Sequence, residues 1–116
     1  MWEVWFFSDA NGREPVRLWL EELERAHPGD CGRVRHHIDL LEEFGPLLSE
    51  PHSRQLRGKL RELRPGKWRV TYFADPKRRM ILLSSFRKTS RRTPPTEIAR
   101  AEKPMRAWLR RNENEK

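Results

Sequence analysis

The sequence predicts a single α+β domain, ordered strand, helix, helix, strand, strand, strand, helix: an antiparallel sheet with an N-terminal helical hairpin and a C-terminal helix. Three observations carry that prediction. Apolar residues recur at helical spacing in two neighbouring segments between positions 15 and 44, and again after 93; β-rich stretches crowd into 59 to 86; and Gly/Pro/Asp turn formers separate them. A chain of 116 residues has the size of one domain, so residues 1–116 are read as one unit with a frayed tail at about 111–116.

The opening "WEVWFF" is aromatic and β-branched, and the turn formers "SDANG" end it, giving a strand over residues 2–7. Pro15 suits a first helical position, and Val16, Trp19, Leu20 and Leu23 then form an amphipathic stripe. "HPGD" at 27–30 breaks that helix. Asp30 is the expected N-cap of a second helix with the stripe Val34, Ile38, Leu41 and Phe44, which Gly45-Pro46 ends. A short loop between the two predicts an antiparallel helical hairpin.

"LLSEPHSRQ", residues 47–55, reads as a linker. Strands follow at about 59–64, 67–74 and 79–86, separated by Pro65-Gly66 and by "ADPKRR", which makes an antiparallel meander. Met80-Ile81-Leu82-Leu83 is apolar at every position, as in a central strand covered on both faces. Thr93 is the expected N-cap of a last helix starting near Pro94, with Ile98, Ala101, Met105 and Trp108 as its stripe and a kink or break where Pro104 falls.

Charge is unevenly distributed. Residues 1–53 carry 5 basic and 11 acidic side chains, residues 54–92 carry 14 and 2, and residues 93–116 carry 6 and 4. The basic middle block suits a polyanion, because each phosphate neutralised by Lys or Arg releases counterions; a solvated surface or a docking patch for an acidic protein is the plainer alternative. One cysteine excludes an internal disulfide, and no Cys/His spacing matches a zinc site. The apolar runs are too short to span a bilayer and the N-terminus lacks a signal-peptide pattern, so a cytoplasmic protein without membrane contact is expected.

The hairpin "LRELRPGKWRVTYF" concentrates the candidate chemistry. A two-residue Pro65-Gly66 loop pairs Glu62 with Arg69 and Leu63 with Trp68. Leu63, Trp68, Val70 and Tyr72 then share a core face with Arg61, while Glu62, Arg64, Lys67, Arg69 and Thr71 share an exposed one. Glu62 and Arg69 form either an exposed cross-strand ion pair or part of a site in which Arg64, Lys67 and Arg69 hold a phosphate and Glu62 takes a proton. Elsewhere, one of His36 and His37 must face solvent on its helix, His52 is a loop histidine able to do acid/base work, and Cys31 lacks a partner base. The five tryptophans are core residues by default.

Residues 40–101 carry an ordered series: "EEFGP", "PHS", "LRELR", "WRVTYF", "ILL", "FRK" and "TPPTEIARA". The series resembles the HigB-like branch of the RelE/ParE toxin superfamily. The resemblance implies a RelE-like fold and the toxin of a type II toxin–antitoxin pair: a cytoplasmic endoribonuclease, needing no metal or cofactor, that cleaves mRNA on the ribosome through attack of the 2′-hydroxyl on the adjacent phosphate. Implied partners are a cognate antitoxin with a helix-turn-helix domain, mRNA and the ribosome. By motif position, Arg69 is similar to the family's phosphate-contacting arginine. Arg64, Arg87 and Lys88 stand where relatives carry basic RNA-binding or catalytic residues. Glu62 stands where RelE members have lysine and is a candidate base; Lys88 is the nearest candidate acid. Arg57, Lys59, Lys67, Arg91 and Arg92 complete the expected RNA-binding surface. Two alternatives stay open, a ParE-like gyrase-inhibiting toxin and a non-catalytic basic RNA-binding module.

Overall fold

The computed structural model describes residues 1–113. Its elements are β1 (Glu3–Phe6), α1 (Pro15–Ala26), α2 (Pro28–Phe44), a 3-10 turn at Gly45–Leu47, β2 (Ser53–Arg57), β3 (Leu60–Leu63), β4 (Trp68–Ala74), β5 (Arg79–Arg87) and α3 (Pro95–Asn112). The α+β class and the expected elements are present, and one strand is added. The five strands lie in the order β1-β5-β4-β3-β2.

The added strand is β2, in the segment expected as linker. "SRQLR" has a single apolar side chain, Leu56, so its periodicity is faint, but an edge strand needs only one covered face. Gly58, at φ +53°, turns it directly into β3, and the register shifts between Gln55 and Arg57. The sheet is not wholly antiparallel either. β1 pairs with β5 in parallel, Phe6 opposite Leu82: the α1–α2 hairpin carries the chain from β1 at one edge of the sheet to β2 at the other, and the antiparallel meander then returns β5 to the side of β1.

Each face of the sheet has its own core. Met80, Leu82, Leu63, Val70 and Tyr72 meet Val16, Leu20, Leu23, Val34 and Leu41 under the helical hairpin. Ile81, Leu83, Phe73 and Leu60 meet Ala101 and Trp108 under α3. Four consecutive apolar residues in β5 thus serve two cores, alternating between them.

Several local expectations are corrected. Asp30 does not cap α2: the cap is His27, Pro28 fixes the first turn, and Asp30 instead accepts the Trp68 indole N–H at 3.0 Å. Within α2 the fourth face residue is His37, which is buried, while Phe44 is 43% exposed and His36 faces solvent. Among the tryptophans, Trp5 is 41% exposed, its indole bound to Glu3. Pro104 does not break α3, which is continuous through Asn112 because Ala101 and Trp108 are buried on either side of it. Residues 111 and 112 are therefore helical rather than frayed, and 114–116 of the expected tail lie outside the described residues.

α3 is fixed to the sheet by one carboxylate. Asp75 accepts the Trp108 indole at 3.0 Å, the Arg79 Nε at 2.7 Å and the backbone N–H groups of Lys77 and Arg79. Burial pushes the Asp75 carboxyl up, but these hydrogen bonds outweigh it and hold it below the ordinary aspartate value. The C-terminal half of α3 is thereby tied to the β4–β5 turn, and Arg100 nearer its start bonds the Ser85 carbonyl of β5.

Candidate functional site

The loop between β3 and β4 is longer than two residues. Trp68 N–H reaches the Pro65 carbonyl at 3.1 Å and Gly66 takes φ +59°, so Arg64 to Lys67 all lie outside the ladder. Leu63 consequently pairs with Val70 and Glu62 with Thr71, two residues on from the expected register. A shift of two preserves which face each side chain takes. Glu62 and Arg69 still share a face, as diagonal rather than direct neighbours.

That face is not exposed. Glu62 is 1% and Arg69 5% accessible, and the segment leading into α3 reaches Glu62. Thr93, expected as a helix cap, donates its hydroxyl to Glu62 Oε1 at 2.7 Å, and Pro94 takes the cap position. Glu62 Oε2 lies 3.6 Å from Arg64 Nε and 3.8 Å from Arg69 Nε. Arg69 Nη1 donates to the Gly66 and Trp68 carbonyls at 2.8 and 2.7 Å, which orients the guanidinium and leaves its Nη2 without a hydrogen bond among the described residues. Thr71 and Ser84 share a hydroxyl hydrogen bond beside them.

β2 contributes a third arginine. Arg54 pairs directly across from Glu62 and shares the exposed Glu50 with Arg64, at 3.4 and 3.9 Å. Burial pulls Arg69 below the ordinary arginine value; the Arg64 charge adds to this, Glu62 opposes it, and Arg54 adds a smaller push the same way. Three guanidinium groups therefore face two carboxylates, an excess of one positive charge. Arg64 Nε is buried and has no hydrogen-bond partner. A buried guanidinium N–H without a hydrogen bond is costly, and the Glu62 carboxylate at 3.6 Å offsets its charge.

Of the expected site residues, the structure brings together Glu62, Arg64 and Arg69. Lys67 is not with them: it turns toward the helical hairpin, 3.4 Å from Asp30 and over the Trp68 ring. Arg57 bonds Glu102 of α3 at 3.2 Å. Arg87 and Lys88 are exposed at the β3–β4 loop end of the sheet and Arg91 and Arg92 are exposed in the segment that follows, whereas Lys59 is exposed at the opposite end, in the β2–β3 turn. The Lys88 backbone N–H is fixed to the Lys67 carbonyl, while its ammonium makes no ion pair with Glu62. Arg61 lies on the core face as expected, satisfied by Ser53, Tyr72 and the Leu48 carbonyl. His52 packs its ring 5.4 Å from that of His37, and its carbonyl accepts the Arg64 N–H. Cys31 is a core residue whose thiol meets the Leu20 carbonyl.

Two residues of the cluster were not expected, Arg54 and Thr93. Arg54 had only a faint signal, Gly58 as a turn between "SRQLR" and the strand that follows. Thr93 had none, since a contact across 31 residues leaves no local trace.

Residues 19–106 match the family model described as "Phage derived protein Gp49-like (DUF891)". The chain belongs to this family. The Gp49-like family is a RelE/toxin-like one, and membership is consistent with the toxin of a toxin–antitoxin system. The match takes in every residue of the cluster described above, so the arginine face lies inside the family's shared region. No curated protein matches the Gp49-like chain. No helix among the described residues is long and apolar enough to cross a membrane.

Proposed function

We propose that the chain is a type II toxin of the HigB-like kind that cleaves mRNA on the ribosome, and that the Arg54/Arg64/Arg69 face binds the scissile phosphate. The observation that carries this reading is the cluster's surplus of one positive charge, which matches one phosphodiester, together with an Arg69 Nη2 that makes no hydrogen bond among the described residues. In the reaction the RNA 2′-hydroxyl loses its proton and its oxygen attacks phosphorus. The bond from phosphorus to the 5′-oxygen breaks, leaving a 2′,3′-cyclic phosphate and a 5′-hydroxyl. Charge builds on the non-bridging oxygens, where fixed guanidinium groups stabilise it.

Glu62 acts in this reading as a positioning residue. Its Oε1 is committed to Thr93 and its Oε2 faces two arginines, so neither oxygen is placed to meet a 2′-hydroxyl as a base must. The 2′-hydroxyl proton passes to solvent. Lys88, at the exposed end of β5, is the proposed donor to the leaving 5′-oxygen, and Arg57, Lys59, Lys67, Arg87, Arg91 and Arg92 track the RNA backbone on either side. A cognate antitoxin with a helix-turn-helix domain is the proposed partner in a cytoplasmic setting.

The test is brief induction in growing bacteria with RNA-end mapping and a DNA-break assay in parallel. New 5′-hydroxyl ends inside translated codons are expected. Intact mRNA with accumulating double-strand DNA breaks would replace this reading with the gyrase one.

A further inference from the structure

Away from the arginine cluster, the outer face of α3 borders a cleft of about 950 Å³ against β5 and the connection from β1 to α1. Its floor is apolar, built by Leu83, Pro104 and Ala107, with the Phe7 ring beside them beneath Arg111. Its rim is basic: Lys103, Arg110 and Arg111 stand seven and eight residues apart on one helical face. Arg100, also at the rim, is ion-paired with Glu97 at 2.7 Å, whereas no ion pair among the described residues neutralises the other three. Asp9 lines the cleft, but its Oδ1 already accepts the N–H groups of Asn11 and Arg13.

The cleft also runs along an open strand edge. β1 stops opposite Leu82, with one further bond from the Phe7 amide to the Leu82 carbonyl, while β5 continues to Arg87. No strand of the described residues lies beside 83–87 on that side. Arg100 Nη2 donates to the Ser85 carbonyl at 2.7 Å, a contact from an exposed side chain that a strand's own N–H can replace. Pro104 in the cleft floor has no N–H to give the Arg100 carbonyl, so a further acceptor is left on the helix.

We propose that this cleft binds an acidic polypeptide segment in extended conformation, added as a strand to the free edge of β5, with alternate apolar side chains on the floor and carboxylates against the α3 rim. Open strand edges are templates for such pairing, in which the backbone supplies affinity and alternate side chains supply selectivity. The basic rim selects a negative partner. Polypeptide fits better than nucleic acid, because a single strand of RNA wants exposed aromatic faces for its bases and the one aromatic residue of the cleft, Phe7, is covered by Arg111 at 4.9 Å. The proposal does not rest on RNA cleavage. The two sites do adjoin, since Ser84 both lines the cleft and bonds Thr71, the strand partner of Glu62.

The test titrates the full chain with a fluorescein-labelled ten-residue peptide of alternating leucine and glutamate. Controls are the same peptide with lysine for glutamate, the same with serine for leucine, and a ten-residue oligouridylate. Saturable binding of the acidic apolar peptide is expected, with slowed amide exchange at 83–87 and at least tenfold weaker binding of both peptide controls. The pair Lys103→Glu and Arg110→Glu should weaken binding at least tenfold; if it unfolds the chain, Lys103→Gln with Arg110→Gln should weaken it at least threefold. Affinity unchanged in the folded variant, exchange protection at 54–64 in place of 83–87, or displacement of the peptide by equimolar oligouridylate would each overturn the proposal. RNA cleavage should persist in either variant, so failure here is separable from failure of the cleavage reading.

Discussion

Glu62 and Arg69 allow a double-mutant cycle whose outcome depends on their being a buried, mutually supporting pair. Arg69→Ala strands a carboxylate that is 1% exposed, keeping only Thr93 and the Arg64 contact at 3.6 Å. Stranding a buried charge costs about 3–5 kcal/mol; the remaining partners place this case at the low end, about 3 kcal/mol. Glu62→Gln keeps shape and the Thr93 hydrogen bond but leaves two guanidinium groups facing each other. An opposite charge at 3.8 Å is worth about 4 kcal/mol at an effective dielectric of 20, roughly half of which is recovered by solvent relaxation, so about 2 kcal/mol is expected. In the double variant the stranded charge and the facing guanidinium pair are both gone, so the loss should not exceed that of Arg69→Ala alone, a coupling of at least about 2 kcal/mol. Urea unfolding of the four proteins reads these values directly. Additivity within about 0.5 kcal/mol would show that the pair does not interact and would refute its role in holding the site. Cleavage separates the roles of Glu62: as a positioning residue its Gln variant should lose about tenfold in rate with an unchanged pH profile, whereas a general base should lose 10²–10⁴-fold with its acid limb.

Thr93→Val removes the hydroxyl that donates to Glu62 at 2.7 Å; a hydrogen bond to a buried charge is worth about 1.5–3 kcal/mol, which should appear as a lower urea midpoint and reduced cleavage together. Arg54→Gln, at a side chain 42% exposed, should leave stability within about 0.5 kcal/mol of the parent while raising the RNA dissociation constant and lowering its salt dependence by about one ion. Acid should destabilise the chain in two stages. Burial lowers the His37 pKa, outweighing its bond to the Arg33 carbonyl, so the folded state favours neutral imidazole and stability falls as pH drops from about 6.5 toward the folded value. Asp75 is also depressed, so its contribution is intact above about 3.9 and fades as pH falls through its folded value. Urea midpoints from pH 8 to 3 check both, and His37→Leu should remove the upper stage alone.

The hydrophobic pattern made most of the fold legible. Helical stripes marked all three helices, and the apolar run in β5 marked a strand serving two cores, because burial is what those patterns encode. β2 escaped because an edge strand with one apolar residue has almost no periodic signal. In the hairpin, alternation carried the face of each residue through an error in register, since the loop grew by two residues and parity survived. Burial of the Glu62–Arg69 pair was not legible: the segment that reaches Glu62 through Thr93 leads into α3, whose placement depends on Asp75 and Trp108 far along the chain. Lys67 was drawn away by Asp30, a contact between elements that local reading does not reach.

In the proposed reaction a 2′-hydroxyl attacks a phosphate held by the Arg64–Arg69 face. The most direct measurement gives the purified chain, with programmed ribosomes, an mRNA cleaved at one mapped codon and a matched mRNA bearing a single 2′-deoxy substitution at the scissile nucleotide. A 2′,3′-cyclic phosphate and a 5′-hydroxyl are expected from the first, no cut at that position in the second, and at least a hundredfold slower cleavage by a folded Arg69→Lys variant, because lysine lacks the planar fork. Cleavage of the 2′-deoxy substrate, 5′-phosphate products, or full activity of the folded Arg69→Lys chain would contradict it.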